Sequence, residues 1–274
     1  MKLRRLIGQL LMTGAAMLMV APAVWMISTA FKPEKEVLSA QPHWIPQTVT
    51  TENFAKLAER AEEFPIGRWF ANSVGISLSV TVLTLLVTSM AAYAFSRLRF
   101  PGRDGAFVAV VSTMMIPSQV CLIPVFLIVQ KMGLFNTYPG LILPALASPL
   151  GVFLLRQFFI TIPKELEEAA ALDGASLWTI YSRIIIPLAQ PALATLAIFT
   201  FLASWNDFVW PLIVTNDVEM RTLPVGLSIF QGRYTAEYGI TMAAATLSSI
   251  PAIIAFLLFQ KRITQGIALT GLKG

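Results

Sequence analysis

The sequence predicts an all-α polytopic membrane protein with six transmembrane helices, and three observations lead to that fold class. Of the 274 residues, 56% are hydrophobic and only 13% are charged, and the mean hydropathy is +0.70. Soluble domains carry about a quarter charged residues, so a soluble core could not cover this much apolar surface. Runs long enough to cross about 30 Å of hydrocarbon, roughly 20 residues each, occur six times.

We predict one transmembrane domain over residues 1–274, with spans at 6–30, 71–95, 106–129, 141–159, 191–214 and 240–259. The first span follows a basic start that also resembles a signal peptide, with a cleavage-like Ala21-Pro-Ala23. Its apolar stretch continues to Ala30, whereas the apolar core of a signal peptide is typically about 7 to 15 residues. We therefore expect a retained span.

Basic residues predict the orientation, because Lys and Arg near span ends resist translocation. With the amino terminus inside, twelve basic and five acidic residues are cytoplasmic, against eight basic and nine acidic residues outside. The cytoplasmic basic residues are Lys2, Arg4, Arg5, Arg97, Arg99, Arg103, Arg156, Lys164, Arg183, Lys261, Arg262 and Lys273. The sequence thus predicts an inner (plasma) membrane protein with both termini in the cytoplasm. The net charge of +5 follows from this topology and does not indicate nucleic acid.

Residue types argue against catalysis and metal binding in this chain. Cys121 and His43 are the only residues of their types, which excludes an intrachain disulfide and a thiolate metal cluster. We expect Cys121 to pack within the third span and His43 to lie in a loop. No GxxxxGK[ST] phosphate loop occurs, so the chain is not itself an ATPase. We expect no catalytic residue, metal or cofactor here.

The segments between and within the spans carry two further patterns. Residues 51–63 predict an amphipathic helix outside the membrane, with Phe54, Leu57 and Ala61 on its apolar side; it could lie on the membrane or contact a partner. Prolines kink membrane helices, and this fits either a bundle that opens and closes or a static one. The prolines within predicted spans are Pro22, Pro117, Pro124, Pro144, Pro149 and Pro251.

The polar segment 160–190, between the fourth and fifth spans, predicts a helical hairpin. Pro163 suits a first helical turn, and acidic residues follow where the helix dipole favours carboxylates. Gly174 supplies the left-handed conformation that ends a helix, Ser176 caps the next one, and Pro187 stops it. By these residues alone, the hairpin either contacts a partner or is a surface element with solvated acids.

A polar cluster, Trp205, Asn206 and Asp207, falls within the predicted fifth span. An ionised Asp near mid-membrane costs about 2.5–3.5 kcal/mol on insertion scales, so Asp207 should face the bundle interior, water or a partner. One interpretation is that the cluster lines a pathway. The other, which we favour, is structural or gating: Asp207 accepts hydrogen bonds from a broken helix, or lies near the exterior interface.

The hairpin resembles the signature loop of the permease subunits of binding-protein-dependent ABC importers. The pattern is Glu168-Ala169-Ala170, then Gly174, then Ile184-x-Ile186-Pro187, with Ile186 where the family has Leu. Four further segments and the tail are similar to the carbohydrate-importing branch, and to its smaller six-span permease, as in the maltose transporter family. These segments are residues 91–101, 115–118, 156–159, 204–211 and 265–274.

The resemblance implies a type I ABC importer permease fold and a set of partners. These are a second, homologous permease in a heterodimer, two copies of a cytoplasmic ABC ATPase that hold ATP and Mg, an extracytoplasmic solute-binding protein and membrane lipid. The implied ATPase-coupling residues are Glu165, Glu168, Ala169, Ala170, Asp173, Gly174, Ile184 and Pro187. An extended tail would also contact the ATPases through Gln265, Gly266 and Gly271, and binding-protein docking candidates are Arg221, Arg233 and Tyr234.

Other functions fit the sequence less well. An ion-coupled secondary transporter would need buried coordinating carboxylates, whereas Asp207 is the one clear intramembrane acid. A membrane enzyme would need a catalytic pair, and a purely structural anchor would not need an organised hairpin. Within the importer interpretation, oligosaccharides, amino sugars and glycerol phosphates all remain open as solutes.

Overall fold

The computed structural model describes residues 2–39, 41–233 and 237–271; side chains within helices are not described at 2–5, 7, 229–233, 252, 255–256 and 258–271. These residues form helices and no strand, which confirms the all-α prediction. The α-helices are α1 (Lys2–Ala30), α2 (Glu34–Val37), α3 (Glu52–Glu59), α4 (Ile66–Arg97), α5 (Arg103–Ser112), α6 (Ser118–Lys131), α7 (Tyr138–Ile142), α8 (Pro149–Phe159), α9 (Glu165–Leu172), α10 (Leu177–Ile180), α11 (Ile186–Leu188), α12 (Gln190–Trp205), α13 (Val209–Val214), α14 (Leu223–Arg233) and α15 (Tyr238–Gly271).

The described helices do not by themselves establish six membrane spans. Within the described residues, α1 from Gly8 and the whole of α4 are long and apolar enough to cross a membrane. Three bent pairs of helices raise the number to as many as five if each pair is one span. The count of six spans and the retention of the first span therefore stay predictions; α1 runs through Ala21-Pro-Ala23 without a break.

Three of the predicted spans are interrupted. The third breaks before Pro117, where Ile116 is extended and the axis turns by 104°, because the residue before a proline is pushed out of the helical region. The fourth bends by 46° at Ser148, whose hydroxyl accepts the Gly151 amide and starts α8. The fifth stops at Trp205 and resumes as α13. Prolines were expected to kink these spans, and the breaks in the third and fourth spans lie beside Pro117 and Pro149.

One compact unit comprises Met1–Phe70 and Leu223–Pro251. Buried Asn53 of α3 donates to the carbonyls of Ala30 and Lys32 at 2.9 and 2.8 Å, so its amide satisfies the end of α1. A bidentate ion pair joins Arg60 to Glu237, with N–O distances of 2.9 and 3.1 Å. The Asn53 amide thus pairs carbonyls that the end of α1 would otherwise leave free, and the ion pair links the end of α3 to the residue before α15.

The other unit, Ala71–Thr222 with Ala252–Gly274, contains the hairpin. Its main buried cluster brings together residues from α4, α8, the second half of the hairpin and α12. Its fully buried members are Ala92, Leu155, Phe159, Ile185 and Ala189. Because the hairpin contributes to this cluster, it is packed into the unit and is not an independent surface element.

Candidate functional site

The hairpin begins and turns as the sequence predicts. Helix α9 starts directly after Lys164, and three carboxylates occupy its first turn, where the helix dipole favours negative charge. Gly174 has φ +82°, in the left-handed region that favours glycine, and it ends this helix. The hydroxyl of Ser176 accepts the Thr179 amide at 3.2 Å and so caps the next helix.

Two faces of α9 differ in their surroundings. The outward face is exposed and carries most of the predicted coupling residues: Glu165, Glu168, Ala169, Asp173 and Gly174. The inward face is partly buried; it carries Glu167 and Ala170, and Ala170 packs against the main cluster. Ala170 thus packs partly inside this chain, and its predicted contact with a partner stays a prediction.

The inward carboxylate, Glu167, meets Arg97 at the end of α4. Arg97 Nε and Glu167 Oε1 are 2.8 Å apart, and the side chains are only 4% and 15% exposed. Neither atom forms a well-directed hydrogen bond, so the contact is ionic. Burial raises the pKa of the Glu167 carboxyl, while the positive charges of Arg97 and Lys164 act in the opposite direction.

Arg97 also holds the end of another helix. Its Nη2 donates to the carbonyl oxygens of Phe159 and Ile162, each at 2.6 Å, just where α8 ends. In return, Arg156 Nε of α8 donates to the Phe95 carbonyl near the end of α4, at 3.2 Å. Each helix thus supplies an arginine to the terminal carbonyls of the other, and a cation is favoured at both positions by the helix dipoles.

The second half of the hairpin packs inward. Residues Tyr181–Ile185 form one π-helical turn, and both of its ends are buried. The Tyr181 hydroxyl lies 2.7 Å from the Ser89 hydroxyl of α4, which makes a second polar link between hairpin and helix. Of the remaining predicted coupling residues, Ile184 is packed against the cluster and Pro187 is exposed.

Large apolar side chains are exposed around the hairpin turn, next to the outward acids. Leu172 is 90% exposed, and Leu177 and Trp178 are each 60% exposed. Exposed apolar patches occur where a chain contacts another protein or a membrane. We name Leu172, Leu177 and Trp178 the turn patch. Sequence reasoning missed it, although two apolar residues directly after a helix cap were a visible signal.

Asp207 lies at a break between helices. Its Oδ1 accepts the Trp210 amide at 3.4 Å, so the interpretation that it accepts hydrogen bonds from a broken helix is confirmed. Trp205 is buried and stacks on Phe201, whereas Asn206 is exposed and donates to the Leu202 carbonyl. The three residues therefore do not share one surface.

A cavity of about 170 Å³ lies beside Asp207. Its walls include Asp207, Ser77 of α4, Trp210 and Thr222. Ser77 and Thr222 are buried, and among the residues that the structure describes their hydroxyl oxygens have no hydrogen-bond partner. We name this space the Asp207 cavity. Trp205 and Asn206 do not line it, so only one residue of the predicted pathway cluster does.

The remaining predicted site residues are less informative. Arg221 is half-buried, and its carbonyl accepts from Asn72 at 2.9 Å; the side chain of Arg233 and all of Tyr234 lie outside the described residues.

The backbone is helical through Gly271, so an extended tail is wrong; the side chains of Gln265 and its neighbours are not described. Cys121 is exposed within this chain, contrary to the packing role expected for it.

Bent apolar helices and a polar hairpin tied to their ends define an α-helical membrane permease. The chain belongs to the family described as binding-protein-dependent transport system inner membrane component, which matches residues 84–269. That family membership confirms the ABC importer permease interpretation drawn from the hairpin pattern, and it leaves an ion-coupled secondary transporter without support.

Relatives with assigned transport systems are similar over almost the whole chain. The arabinooligosaccharides transport system permease protein AraQ of Halalkalibacterium halodurans is 38% identical over 261 residues, covering 94% of this chain and 93% of that protein. The trehalose/maltose transport system permease protein MalG of Thermococcus litoralis is 37% identical over 274 residues, covering 98% and 96%. The diacetylchitobiose uptake system permease protein DasC of Streptomyces coelicolor is 34% identical, covering 93% and 92%.

A solved structure shares the fold. A chain of a bacterial ABC transporter involved in the import of the acidic polysaccharide alginate superposes with a TM-score of 0.84 at 25% identity, covering 95% of this chain and 96% of that one. A second structure, the alginate transporter in complex with an alginate pentasaccharide-bound periplasmic protein, matches with a TM-score of 0.65 at 20% identity. The type I importer permease fold expected from the sequence is therefore that of this chain.

Proposed function

We propose that this chain is one permease subunit of an ATP-driven importer that carries a sugar or sugar-like solute across the inner membrane. Its relatives serve transport systems for arabinooligosaccharides, diacetylchitobiose and trehalose or maltose, and these support a carbohydrate solute. The second permease of the proposed heterodimer is a homologous chain. Lipid surrounds the spans.

The observation that carries this proposal is the division of the hairpin into two faces. Outward acids and the turn patch are left exposed, while the inward face is tied to Arg97 and the main cluster. A surface hairpin with solvated acids would not bury one carboxylate or expose three large apolar side chains. This arrangement suits an element that binds a second protein on one side and moves spans on the other.

The expected partner at the outward face is a cytoplasmic ABC ATPase, present in two copies. ATP and Mg would be held there, so this chain contributes no catalytic residue, and its role is to receive a movement of the ATPase. This placement puts the hairpin and both termini in the cytoplasm, in keeping with the basic residues near these span ends. The tail after residue 260 is a second expected contact.

On the opposite side, an extracytoplasmic binding protein delivers the solute. A solved relative of this fold was obtained with a periplasmic protein, which supports such a partner. The segment 215–238 remains our candidate for docking, through Arg221, Arg233 and Tyr234. Asp207 is the pathway or gating candidate, because it lines a cavity with two unpartnered hydroxyls.

The first test is co-purification from membranes by a tag on this chain. We expect a second permease, an ATPase and an exterior binding protein to accompany it. The complex is then reconstituted and offered arabinooligosaccharides, diacetylchitobiose, trehalose, maltose and, as the non-sugar alternative, glycerol phosphate. Uptake of one of the sugars with ATP supports the proposal, whereas uptake of glycerol phosphate alone would correct the solute class.

The second test reverses one charge on the outward face. We expect Glu168→Lys to leave membrane insertion unchanged and to abolish the stimulation of ATP hydrolysis by the loaded binding protein. Arg99→Ala, an exposed change away from the hairpin, is the control. Unchanged stimulation in the Glu168 variant would remove the coupling role from this face.

A further inference from the structure

Arg97 occupies a junction of three elements in the unit of residues 71–222. It stands on the last residue of α4, its Nε faces Glu167 of the hairpin, and its Nη2 binds carbonyls at the end of α8. The side chain is almost fully buried, so water does not weaken these contacts as it would at the surface. A single guanidinium therefore connects the hairpin helix to two helix ends.

A reciprocal contact also joins the end of α8 to the end of α4. Arg156 of α8 donates to the Phe95 carbonyl of α4, and its guanidinium carbon lies 4.1 Å from the centroid of the Phe107 ring. Two arginines thus cross between α4 and α8 in opposite directions. Because a guanidinium presents several donors in a rigid planar fork, such contacts resist both separation and rotation of the ends.

We propose that Arg97 is the positioning residue that transmits movement of α9 to α4 and α8 together. The proposal rests on the proposed ATPase partner, which moves the outward face of α9. Glu167 then displaces Arg97, and Arg97 carries the ends of both helices with it. Arg97 touches neither solute nor nucleotide. The exposed carboxylates of α9 bind the partner, and the buried carboxylate of Glu167 transmits the movement to Arg97.

Hydrogen–deuterium exchange of the complete reconstituted transporter, with and without ATP and vanadate, tests this transmission. In the unmodified complex we expect nucleotide to change exchange in residues 165–172 and also in 91–99 and 156–162. In Arg97→Ala the change should persist in 165–172 and be lost in both 91–99 and 156–162. A merely structural role would alter exchange in 91–99 equally with and without nucleotide and would leave the difference in place.

Two further variants sharpen the test. Glu167→Gln keeps the shape of the side chain and removes its charge. The nucleotide-dependent change should then be lost in 91–99 and in 156–162 together, because Arg97 still ties α4 to α8. It decides the question if Arg97→Ala does not assemble. Arg99→Ala, two residues along and exposed, is the matched control and should behave as the unmodified chain.

Three results would overturn the inference. One is a nucleotide-dependent change in 91–99 that survives in Arg97→Ala or in Glu167→Gln. Another is an unmodified complex that binds its ATPase and shows no change in 91–99. The third is an equal loss in Arg99→Ala. Absence of any ATPase from the purified complex would instead overturn the proposed function, so the two failures are distinguishable.

Discussion

The Arg97 junction and the Asp207 cavity are both polar regions of the same compact unit, and they satisfy their polar groups differently. At the junction, Arg97, Glu167 and the carbonyls at the end of α8 meet one another within the chain. At the cavity, the hydroxyl oxygens of Ser77 and Thr222 are buried and have no partner among the described residues. A closed set of contacts holds elements together, whereas an unpaired buried hydroxyl adds no such link. The first region therefore suits transmission, and the second leaves space between its helices.

The largest expected effect is at the junction. Arg97→Ala removes both carbonyl contacts and leaves the Glu167 charge buried without its partner. Breaking a buried ion pair in this way costs about 3–5 kcal/mol. The free energy of unfolding in mixed detergent micelles measures the loss, and the exposed Arg99→Ala should change it by less than about 0.5 kcal/mol. An equal change in the free energy of unfolding for the two variants would show that the contacts of Arg97 do not stabilise the fold.

A smaller effect is expected at the turn of the hairpin. Gly174→Ala places a Cβ at φ +82° and should cost about 1–2 kcal/mol. Gly105→Ala is the matched control, because Gly105 lies in α5 without a positive φ or a close neighbour. It should stabilise by about 0.5–1 kcal/mol. The same unfolding measurement reports both, and effects of the same sign would show that the turn does not constrain the backbone.

One substitution made at two places on α4 compares the two regions directly. Ser89→Ala removes the hydroxyl that lies 2.7 Å from the Tyr181 hydroxyl and should cost about 1 kcal/mol. Ser77→Ala removes a hydroxyl that has no partner in the described part of the chain, and it should be close to neutral. If Ser77→Ala costs as much as Ser89→Ala, the Asp207 cavity holds an ordered polar occupant.

The smallest expected effect is a pH dependence at Glu167, whose pKa is raised by burial. A raised folded-state pKa means that the protonated form is favoured in the fold, so this group adds stability below its unfolded pKa and loses it as pH rises through the folded pKa. The unmodified chain should therefore gain thermal stability over Glu167→Gln as pH falls from 7 toward 4.5. Parallel pH profiles would show that burial does not disfavour the ionised carboxylate.

Local signals in the sequence were sufficient for much of the hairpin. The start of α9, the turn at Gly174 and the cap at Ser176 were all predicted, because each depends on the backbone chemistry of its own neighbourhood. Kinks at Pro117 and Pro149 were expected, and a broken helix at Asp207 was one interpretation, but the size of each bend was not predicted. Apolar composition marks a membrane segment by length, and it does not report whether the helix within it continues.

The partner of Glu167 could not be found from the sequence. Glu165, Glu167 and Glu168 look alike in a first helical turn, and the choice of which one faces inward depends on how α9 packs. Arg97 is seventy residues earlier, and nothing local distinguishes it from Arg99. The same holds for Asp207, whose place beside an empty volume depends on helices from distant parts of the chain.

By itself, the sequence determined the class of this protein: an α-helical membrane permease with one polar hairpin of set length and turn. Hydrophobic runs, glycine and capping residues act over a few neighbours, so their consequences can be derived without a fold. The tertiary structure alone decided which carboxylate is buried, which arginine joins two helix ends, and where a cavity is left. Those outcomes arise from packing between remote segments, where burial and distance, and not residue type, set the strength of each contact.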